Sequence, residues 1–462
     1  IHVGAEQYPA GRAGEAPATG LADWLRAQGF HVERLKTGTP PRLDGRSIDW
    51  DRVTPQPGEV PPPRLSALAP EGRLRQIPCH LTQTGPATHA LVRGALGESP
   101  IFSGAIEVAG PRYCPSLEDK VVRFPDREGH TVFLEPEGLD TWEIYPNGIS
   151  TSLPARVQED VVRTIPGLEG ARITQFGYAI EYDFLDPRQL QPWLALRGWD
   201  GLFLAGQING TTGYEEAAAQ GLLAGANAAL ALQDRPEWYP GRDEAYLGVL
   251  VDDLVSRGVD EPYRMLTSRA EHRLLLREDN AEARLSPVGR ELGLVGDERW
   301  ARYQDQAQGL RRLLDHLEAR WIDPQQVEPQ FAEEVLGGPL SKPSRYADLL
   351  RRPRVDLETV ARLTGDRDLL AETDEVRQRA EIEIKYAGYI ERDRVAGNRL
   401  DGERERVLPE DLDFHRIEGL SNEVIQRLDR ARPTTLGQAA NIPGVTPAAL
   451  SLLLVHAKRV SG

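Results

Sequence analysis

The chain has 462 residues, 55 of them basic and 71 acidic, so its formal net charge is −16. This length suffices for two to four domains, and such an acidic chain does not bind nucleic acid by bulk charge, although a local basic groove stays compatible with it. The two cysteines, Cys79 and Cys114, are too few for a disulfide framework, which predicts a reducing, cytoplasmic location. They also lack the spacing of metal ligands, so we expect no metal site. The sequence has neither a membrane-spanning apolar run nor a secretory signal.

The N-terminal part is predicted to mix helix and strand. An amphipathic helix is predicted over residues 19–28, and residues 36–80 form a long proline-rich segment of a kind that is often functional. Short apolar runs predict strands at residues 101–108, 131–134 and 171–183. The chain begins with IHVG, without an initiator methionine, and these residues resemble the C-terminal end of a β-strand. We therefore expect it to be a fragment that lacks its true N-terminus.

Residues 110–120, GPRYCPSLEDK, are the first segment with a chemical signature. Ser116 followed three residues later by Asp119 predicts a helix cap, which would place Cys114 just ahead of a helix N-terminus. That position lowers the pKa of a thiol; two flanking cations would add to the effect and two acidic residues would oppose it. Cys114 is therefore predicted to be a nucleophile, with a buried inert cysteine as the alternative. For Cys79 the inert interpretation is favoured.

Residues 201–230 predict a strand, a glycine-rich turn and a helix in that order. The apolar run 201–206 is predicted to be a strand buried on both faces. After the turn that ends at Gly213, the helix is predicted to begin at Tyr214, where residues of high helix propensity start. The N–H groups at such a helix start suit a phosphate or an electron-rich ring. An ordinary β–α unit with small residues for packing accounts for the same pattern equally well.

Helical patterns dominate from residue 246 onward. Ser268 and Glu271 form a capping-box pattern that predicts a helix beginning at Arg269, with arginines at four-residue spacing on one face. These arginines would hold a phosphate backbone, or alternatively pair with nearby glutamates at the surface. The candidate phosphate contacts are Arg264, Arg269, Arg273 and Arg277. A second basic patch at residues 342–354 has the same two interpretations, and Thr446 is predicted to cap the last helix.

Together, these segments closely resemble the MnmG family, also called GidA. The resemblance covers essentially the whole chain and is far more specific than a short phosphate-loop pattern. Its main stretches are RLKTGTPPR (34–42), GPRYCPSLEDK (110–120), EPEG (135–138), EIYPNGISTS (143–152), GYAIEYD (177–183), residues 205–225, residues 245–253, YRMLTSRAEHRLLLREDN (263–280) and residues 419–424.

The resemblance implies an α/β flavoprotein with a glutathione-reductase-like FAD domain, incomplete at its N-terminus, a mixed α/β insertion domain and an all-α C-terminal region. The expected division is residues 1–35 with 188–235 for the FAD-binding domain, 36–187 for the NAD-binding and substrate insertion, 236–405 for a helical domain, and 406–462 for a helical subdomain that binds a partner or tRNA. Family members bind FAD, use NADH and act as homodimers with the GTPase MnmE. They add an aminomethyl or carboxymethylaminomethyl group to carbon five of the tRNA wobble uridine, with methylene-tetrahydrofolate as one-carbon donor.

Carried over residue by residue, the resemblance makes Cys114 one of two thiols that the chemistry needs. Its implied role is attack on the uracil ring or handling of the one-carbon unit. Gln207 would contact FAD beside Gly213 and Tyr214, and the four arginines become candidate tRNA contacts. The implied nicotinamide-binding stretch consists of Gly110, Pro111, Arg112, Tyr113, Cys114, Pro115, Ser116, Leu117, Glu118, Asp119, Lys120, Val121, Val122, Arg123 and Phe124.

The sequence departs from the family pattern at its start. Family members begin with a strand, a GxGxxG-type loop and a helix that bind the FAD pyrophosphate, and this sequence contains no such motif. The second family thiol belongs to the same N-terminal segment. Whether this chain binds FAD or turns over by itself is therefore open. The alternatives are a noncatalytic fragment that binds tRNA and the GTPase, and a folate-dependent tRNA uridine methyltransferase, a related flavoprotein without the long helical tail.

Overall fold

The computed structural model describes residues 1–460 except 64–65, 67, 70–73, 109, 111–114, 402, 404–405, 410–411, 441 and 443, and it describes only the backbone at 393–401, 447 and 459–460. The chain divides into two compact units, Ile1–Ala224 with Leu254–Arg264, and Gly225–Asp253 with Met265–Gly462. The finer division into four domains stays a prediction. Among the described residues, no helix is long and apolar enough to cross a membrane.

The first unit contains a four-stranded antiparallel sheet in the order β2–β1–β10–β3. Its strands are β1 (His2–Val3), β2 (Glu6–Gln7), β3 (Val32–Thr39) and β10 (Tyr178–Leu185). The β3 and β10 strands pair over eight residues, from Thr39 opposite Tyr178 to Val32 opposite Leu185. Strand β3 contains residues 34–39 of the RLKTGTPPR motif, so this long ladder determines to which face of the sheet each of their side chains points.

A six-stranded antiparallel sheet forms the rest of the strand structure in this unit, in the order β5–β6–β7–β8–β4–β9. Its strands are β4 (Arg42–Asp44), β5 (Thr54–Gln56), β6 (Cys79–Gln83), β7 (Thr131–Pro136), β8 (Glu143–Asn147) and β9 (Ile173–Gln175). Alternate residues of β7, Val132 and Leu134, are fully buried in a core that also contains Leu117 and Val161 from covering helices. This alternation is what a sheet with one packed face requires.

The helices of the first unit precede the glycine-rich turn, and two further helices cross the division between the units. The former are α1 (Thr19–Ala27), α2 (Pro86–Gly94), α3 (Leu117–Arg123) and α4 (Ala155–Arg163), and the latter are α5 (Tyr214–Leu232) and α6 (Tyr246–Arg257). The predicted start of α5 at Tyr214 is confirmed, and the helix predicted at 19–28 corresponds to α1.

In the described residues of the second unit, helices accompany a short ladder of β11 (Trp321–Ile322) with β12 (Ser344–Arg345) and an isolated bridge between Val407 and Thr435. Separate apolar cores lie within residues 310–384 and 408–457. Thr446 Oγ1 accepts a hydrogen bond from Ala449 N–H at 3.2 Å, so the predicted cap is confirmed. The helices are α7 (Ala281–Glu291), α8 (Asp297–Ala319), α9 (Pro329–Leu336), α10 (Tyr346–Leu350), α11 (Leu357–Thr364), α12 (Asp374–Asp401), α13 (Asn422–Ala431), α14 (Leu436–Ala440) and α15 (Pro447–Val460).

Two of the predicted strands are wrong. Residues 201–206 form one isolated bridge, from Phe203 to Ala195, because they fold back on the residues just before them and pair on one side only. Residues 101–108 form turns, since Ser103 N–H donates to the carbonyl of Ser99 at 2.8 Å and the backbone bonds therefore close locally. The runs at 131–134 and 171–183 do contain strands, namely β7, β9 and part of β10.

Candidate functional site

The turn ahead of α5 is held together by one buried amide side chain, that of Gln220. Its Oε1 atom accepts hydrogen bonds from Gly206 N–H and from Asn209 Nδ2, both at 2.9 Å. Its Nε2 atom donates to Thr211 Oγ1 at 2.9 Å. Sequence reasoning missed Gln220, although a polar residue within an alanine-rich helix is the signal that would have identified it.

Gly210 shows why this turn needs a glycine. It has a φ angle of 74°, and a Cβ atom added there would lie 2.6 Å from Val259 Cγ2 and 3.1 Å from Phe184 Cδ2. Both the backbone conformation and the close approach therefore exclude a side chain. The turn has a single well-defined shape, which is the requirement for positioning a ligand-binding residue.

The outward residues of the turn are available for a ligand. Gln207 is exposed, and its side-chain amide makes no hydrogen bond within the described part of the chain. Tyr214 is 94% exposed at the start of α5. Both predicted flavin contacts are therefore exposed, one in the turn and one at the start of the helix that follows it.

The start of α5 is less suited to a phosphate than the sequence suggests. A Cβ atom on Gly213 would lie only 1.6 Å from Glu216 Oε2, so the Glu216 carboxylate folds back over the first turn of the helix. Glu216 is buried, and its Oε1 atom accepts from Arg264 Nε at 3.2 Å. A carboxylate already faces the positive end of the helix dipole and would repel a second anion. Of the two predicted ligands, the electron-rich ring is therefore favoured.

The predicted helix cap in the cysteine segment is confirmed. Ser116 Oγ accepts from Asp119 N–H at 3.1 Å and begins α3. Pro111, Arg112, Tyr113 and Cys114 lie outside the described residues, so the role of the thiol stays a prediction. Cys79 is partly buried, and burial followed by the nearby Glu135 charge raises the pKa of its thiol, which supports the inert interpretation.

Several side chains of the implied nicotinamide stretch are occupied within the fold. The side chains of Leu117, Glu118 and Val121 are buried, so these residues would contact a cofactor only through their backbone atoms. Lys120 Nζ donates to the carbonyl oxygen of Gly148 at 2.8 Å. The outward side of α3 consists of Val122, Arg123 and the following Phe124.

Lys36 is a further candidate site residue, which sequence reasoning did not identify as functional although it lies in the RLKTGTPPR motif. It is only 7% exposed, and a Cβ atom on Gly110 would lie 2.5 Å from its Cε and 3.0 Å from its Nζ. Burial lowers the pKa of its ammonium group, against the raising effect of the Asp119 and Glu118 charges. A buried lysine beside a predicted active segment is typical of functional sites. The two residues lie more than seventy positions apart in the sequence, so their proximity is a property of the tertiary structure.

Glu118 is a fully buried carboxyl group behind the cysteine segment. Its Oε1 atom accepts from Ser152 N–H at 3.1 Å and from Ser99 Oγ at 3.3 Å, whereas the buried Oε2 atom has no partner in the described structure. Burial raises the pKa of this group. The protonated carboxyl group is therefore the form that this environment favours.

We expect Glu118→Gln to stabilise the protein relative to the parent as the pH rises above about 4.3, where the side chain of an unfolded glutamate ionises. The raised pKa means that the folded parent holds its proton longer than the unfolded chain does, so the parent loses stability with rising pH, and the neutral amide does not. Midpoints of thermal unfolding at several pH values measure the difference. Glu128→Gln, at an exposed glutamate, is the matched control, and an equal pH dependence in both variants would contradict this account.

The predicted arginine helix is wrong. Residues 267–269 form one short 3-10 turn, and residues 270–280 are irregular. Glu271, expected to cap the helix, instead accepts from Arg242 Nε at 2.6 Å and Nη2 at 2.9 Å. Arg269 lies 3.8 Å from Asp253, and Arg277 pairs with Asp279 at 2.9 Å. Arg269 and Arg277 thus form ion pairs with acidic groups of the protein itself, whereas Arg273 is exposed. Contact of these arginines with tRNA stays a prediction.

Part of the second basic patch is likewise paired. Arg345 and Arg351 both contact Glu318, at 3.2 and 2.9 Å. Arg345 and Arg351 therefore match the alternative interpretation, in which basic residues pair with glutamates at the surface. The side chains of Lys342, Arg352 and Arg354 are exposed to solvent.

Comparisons with known proteins agree with this architecture. Residues 1–236 match the family model described as glucose inhibited division protein A. Residues 297–394 and 397–462 match the models of the C-terminal helical domain and the C-terminal helical bundle of the tRNA modifying enzyme MnmG/GidA.

Two solved structures of GidA from Aquifex aeolicus resemble the whole chain. The form I crystal structure is 42% identical with a TM-score of 0.78, and the match covers 99% of this chain and 73% of that chain. The form II structure is 41% identical with the same TM-score, covering 99% and 72%. The α/β flavoprotein fold with a helical C-terminal region is therefore confirmed, and the chain belongs to the MnmG/GidA family of tRNA-modifying enzymes.

Proposed function

We propose that this protein catalyses the FAD-dependent modification of the wobble uridine of tRNA, adding an aminomethyl or carboxymethylaminomethyl group at carbon five. The observation that carries the proposal is the Gln220-braced turn, in which Gln207 is exposed, followed by the exposed Tyr214 at the start of α5. We include NADH as reductant, methylene-tetrahydrofolate as one-carbon donor, a homodimer, the GTPase MnmE as partner and a cytoplasmic location. These details rest on family membership.

The residues that follow the turn fit a flat ring such as a flavin. A Cβ atom added at Gly221 would meet no atom within 4 Å, and Ala218 is also exposed. A planar group can therefore approach the α5 backbone closely at this face. The Glu216 carboxylate at the helix start disfavours the phosphate end of a cofactor and leaves the ring end as the fitting part.

Two residues of this chain, Cys114 and Lys36, would have separate chemical roles in the reaction. Cys114 would add through its sulfur to carbon six of the uracil, so that the electrons of the ring double bond make carbon five nucleophilic. Lys36, buried beside Gly110, would stabilise negative charge that develops next to this segment. FAD, when bound, supplies the redox chemistry that side chains lack.

The first test is made in cells. Deleting the gene and analysing tRNA nucleosides by mass spectrometry is expected to remove the (carboxymethyl)aminomethyl group from the wobble uridine and leave 5-methyluridine unchanged. Loss of 5-methyluridine instead would identify the methyltransferase alternative, which the matched MnmG/GidA C-terminal models disfavour. Restoration by a Cys114→Ser variant would favour a noncatalytic binding role.

The second test addresses the flavin surface. We expect Gln207→Ala to weaken FAD binding about tenfold, because an exposed amide that contacts a cofactor contributes roughly 1 to 1.5 kcal/mol. Quenching of flavin fluorescence on titration with the purified protein measures the affinity. Gln56→Ala, at an exposed glutamine of β5, should leave the affinity unchanged. Equal affinities for all three proteins would reject Gln207 as a flavin contact.

A further inference from the structure

We propose that the contact between α2 and the α3–β7 loop, residues 124–130, is a pH-sensitive switch, closed by two uncharged histidine rings and opened when these rings gain protons. The rings are those of His89, on α2, and His130, at the end of the loop. Their centroids lie 5.2 Å apart at an interplanar angle of 40°. His89 is 2% exposed, and the buried Nε2 atom of His130 has no hydrogen-bond partner in the described residues. Both rings therefore lie where a positive charge is costly.

The hydroxyl group of Thr84 connects the loop to the His89 ring. Thr84 Oγ1 accepts a hydrogen bond from His130 N–H at 2.9 Å and lies 2.8 Å from His89 Nε2. When the hydroxyl donates its single proton to Nε2, all three groups are satisfied, which requires Nε2 to be unprotonated. A protonated Nε2 would itself be a donor. Because Thr84 is 1% exposed and its hydroxyl has no third partner in the described residues, the hydroxyl proton would then lack an acceptor.

The contacts of the loop with α2 and with the residue before it are concentrated at the His130 end. Thr84 N–H donates to the carbonyl oxygen of His130 at 2.9 Å, and a Cβ atom added to Gly129 would lie 2.5 Å from the carbonyl oxygen of Thr84. Towards its start, the loop accepts one long hydrogen bond, from Arg93 Nη2 to the carbonyl oxygen of Pro125 at 3.4 Å. Residues 124–128 are exposed. Loss of the contacts at Thr84 and His89 would therefore free the loop.

The charged side chains that act on the two rings are cations. Burial, followed by the Arg93 charge, lowers the pKa of His89, against the raising effect of a hydrogen bond with the Arg127 backbone. Burial lowers the pKa of His130 as well, followed by the His89, Lys120 and Arg127 charges. These groups belong to α2, α3 and the loop, and among the described residues of β6, β7 and α4 no carboxylate acts on either ring. A proton on either ring is therefore uncompensated in the closed state.

The α2 side of this contact is firmly held, so the loop is the part that moves. Thr88 Oγ1 lies 2.8 Å from Thr164 Oγ1 and accepts a hydrogen bond from Gly85 N–H at 3.1 Å. Val92 of the same helix is fully buried in the core of the first unit. The exposed loop has no comparable anchor except its His130 end. Because the loop begins at Phe124, the last residue of the implied nicotinamide-binding stretch, acidification should loosen the end of that stretch.

Acid should open the loop by a predictable factor. A histidine exposed to solvent has a pKa of about 6.5, and both rings have lower values in the closed state. The closed state is therefore fully favoured above this pH and loses stability as the pH falls through it. A ring that stays neutral in the closed loop favours opening about tenfold at pH 5.5 relative to pH 7.5, and two such rings favour it roughly a hundredfold.

Hydrogen exchange of the purified full chain tests the switch, with mass spectrometry of peptides that cover residues 83–85 and 124–130 and correction for the intrinsic effect of pH. Between pH 7.5 and 5.5, protection should fall roughly a hundredfold in the parent and about tenfold in His89→Gln and in His130→Gln. The double variant should show no pH dependence, because glutamine does not ionise. His31→Gln, at an exposed histidine, should behave like the parent. Peptides of β3 and β10 should keep their protection, which shows that the opening is local.

Unchanged protection in the parent, or an equal fall in the parent and in the double variant, would overturn the proposal. If glutamine loosens the loop at both pH values, NMR titration of the imidazole C–H signals of the parent decides. The signals of His89 and His130 should then change over the same pH range in which the loop amides lose protection. Titration of both rings as ordinary histidines while the loop stays protected would reject the switch. These measurements need neither FAD nor turnover, so their result is independent of the proposed tRNA modification.

Discussion

Replacing Arg242 by methionine is expected to lower the free energy of unfolding of the second unit by about 3 kcal/mol. Arg242 donates to Glu271, to Asp253 at 2.9 Å and to the carbonyl oxygen of Arg269 at 3.0 Å. Asp253 is only 2% exposed on its side chain, so removing its cation leaves a buried negative charge with less compensation. Denaturant unfolding and hydrogen exchange of the α6 amides measure the loss.

Two further variants separate this network from simple surface charge. Arg242→Lys retains the charge but not the planar fork that donates to several acceptors at once, so the stability of this variant should fall between those of the parent and the methionine variant. Arg273→Met removes an exposed arginine of the same segment and should change stability by less than about 0.5 kcal/mol. Similar small effects of Arg242→Met and Arg273→Met would show that the ion pairs do not hold the segment.

Gln220→Met is expected to destabilise the first unit by about 3 kcal/mol, because buried groups that lose a hydrogen bond cost roughly 1–3 kcal/mol each. Methionine nearly preserves the side-chain volume, so the effect reports on hydrogen bonding more than on packing. Gly206 N–H and the Asn209 amide lose their acceptor, and Thr211 Oγ1 loses its donor. We expect faster hydrogen exchange at Gly206 and a lower thermal unfolding midpoint.

The same substitution should also weaken FAD binding if the turn positions Gln207 as proposed. Gln233→Met, at an exposed glutamine just past the C-terminal end of α5, is the matched control and should be neutral in both measurements. A Gln220→Met protein with unchanged exchange at Gly206 would contradict the assigned hydrogen bonds. Unchanged flavin affinity in a protein with a loosened turn would instead contradict the role of the turn.

The sequence by itself predicted features that depend on neighbouring residues. The Ser116 and Thr446 caps, the start of α5 at Tyr214 and the helical character beyond residue 246 are all present in the structure. Each follows from hydrogen bonds or propensities within one turn of helix, which a short stretch of residues specifies. The family assignment was also correct, because its motifs are long and extend over nearly the whole chain.

Sequence patterns failed where distant groups competed for the same atoms. Glu271 has the spacing of a capping residue, but Arg242, 29 positions away, takes its carboxylate, and the predicted arginine helix does not form. The strand expected at residues 201–206 folds back on the segment before it, which the apolar run alone does not reveal. Local preference is worth a few tenths of a kcal/mol per residue, so a tertiary ion pair readily outweighs it.

The sequence alone therefore determined the family, the helix caps and the residues of the glycine-rich turn. Only the tertiary structure decided that Gln220 braces this turn, that Lys36 lies beside Gly110, and that Glu118 is fully buried. The physical reason is that burial and desolvation depend on which remote segments pack together, as β3 and β10 do across more than one hundred intervening residues. Spacing along the chain specifies local hydrogen bonds, whereas the chemistry of a site depends on groups that only the fold brings together.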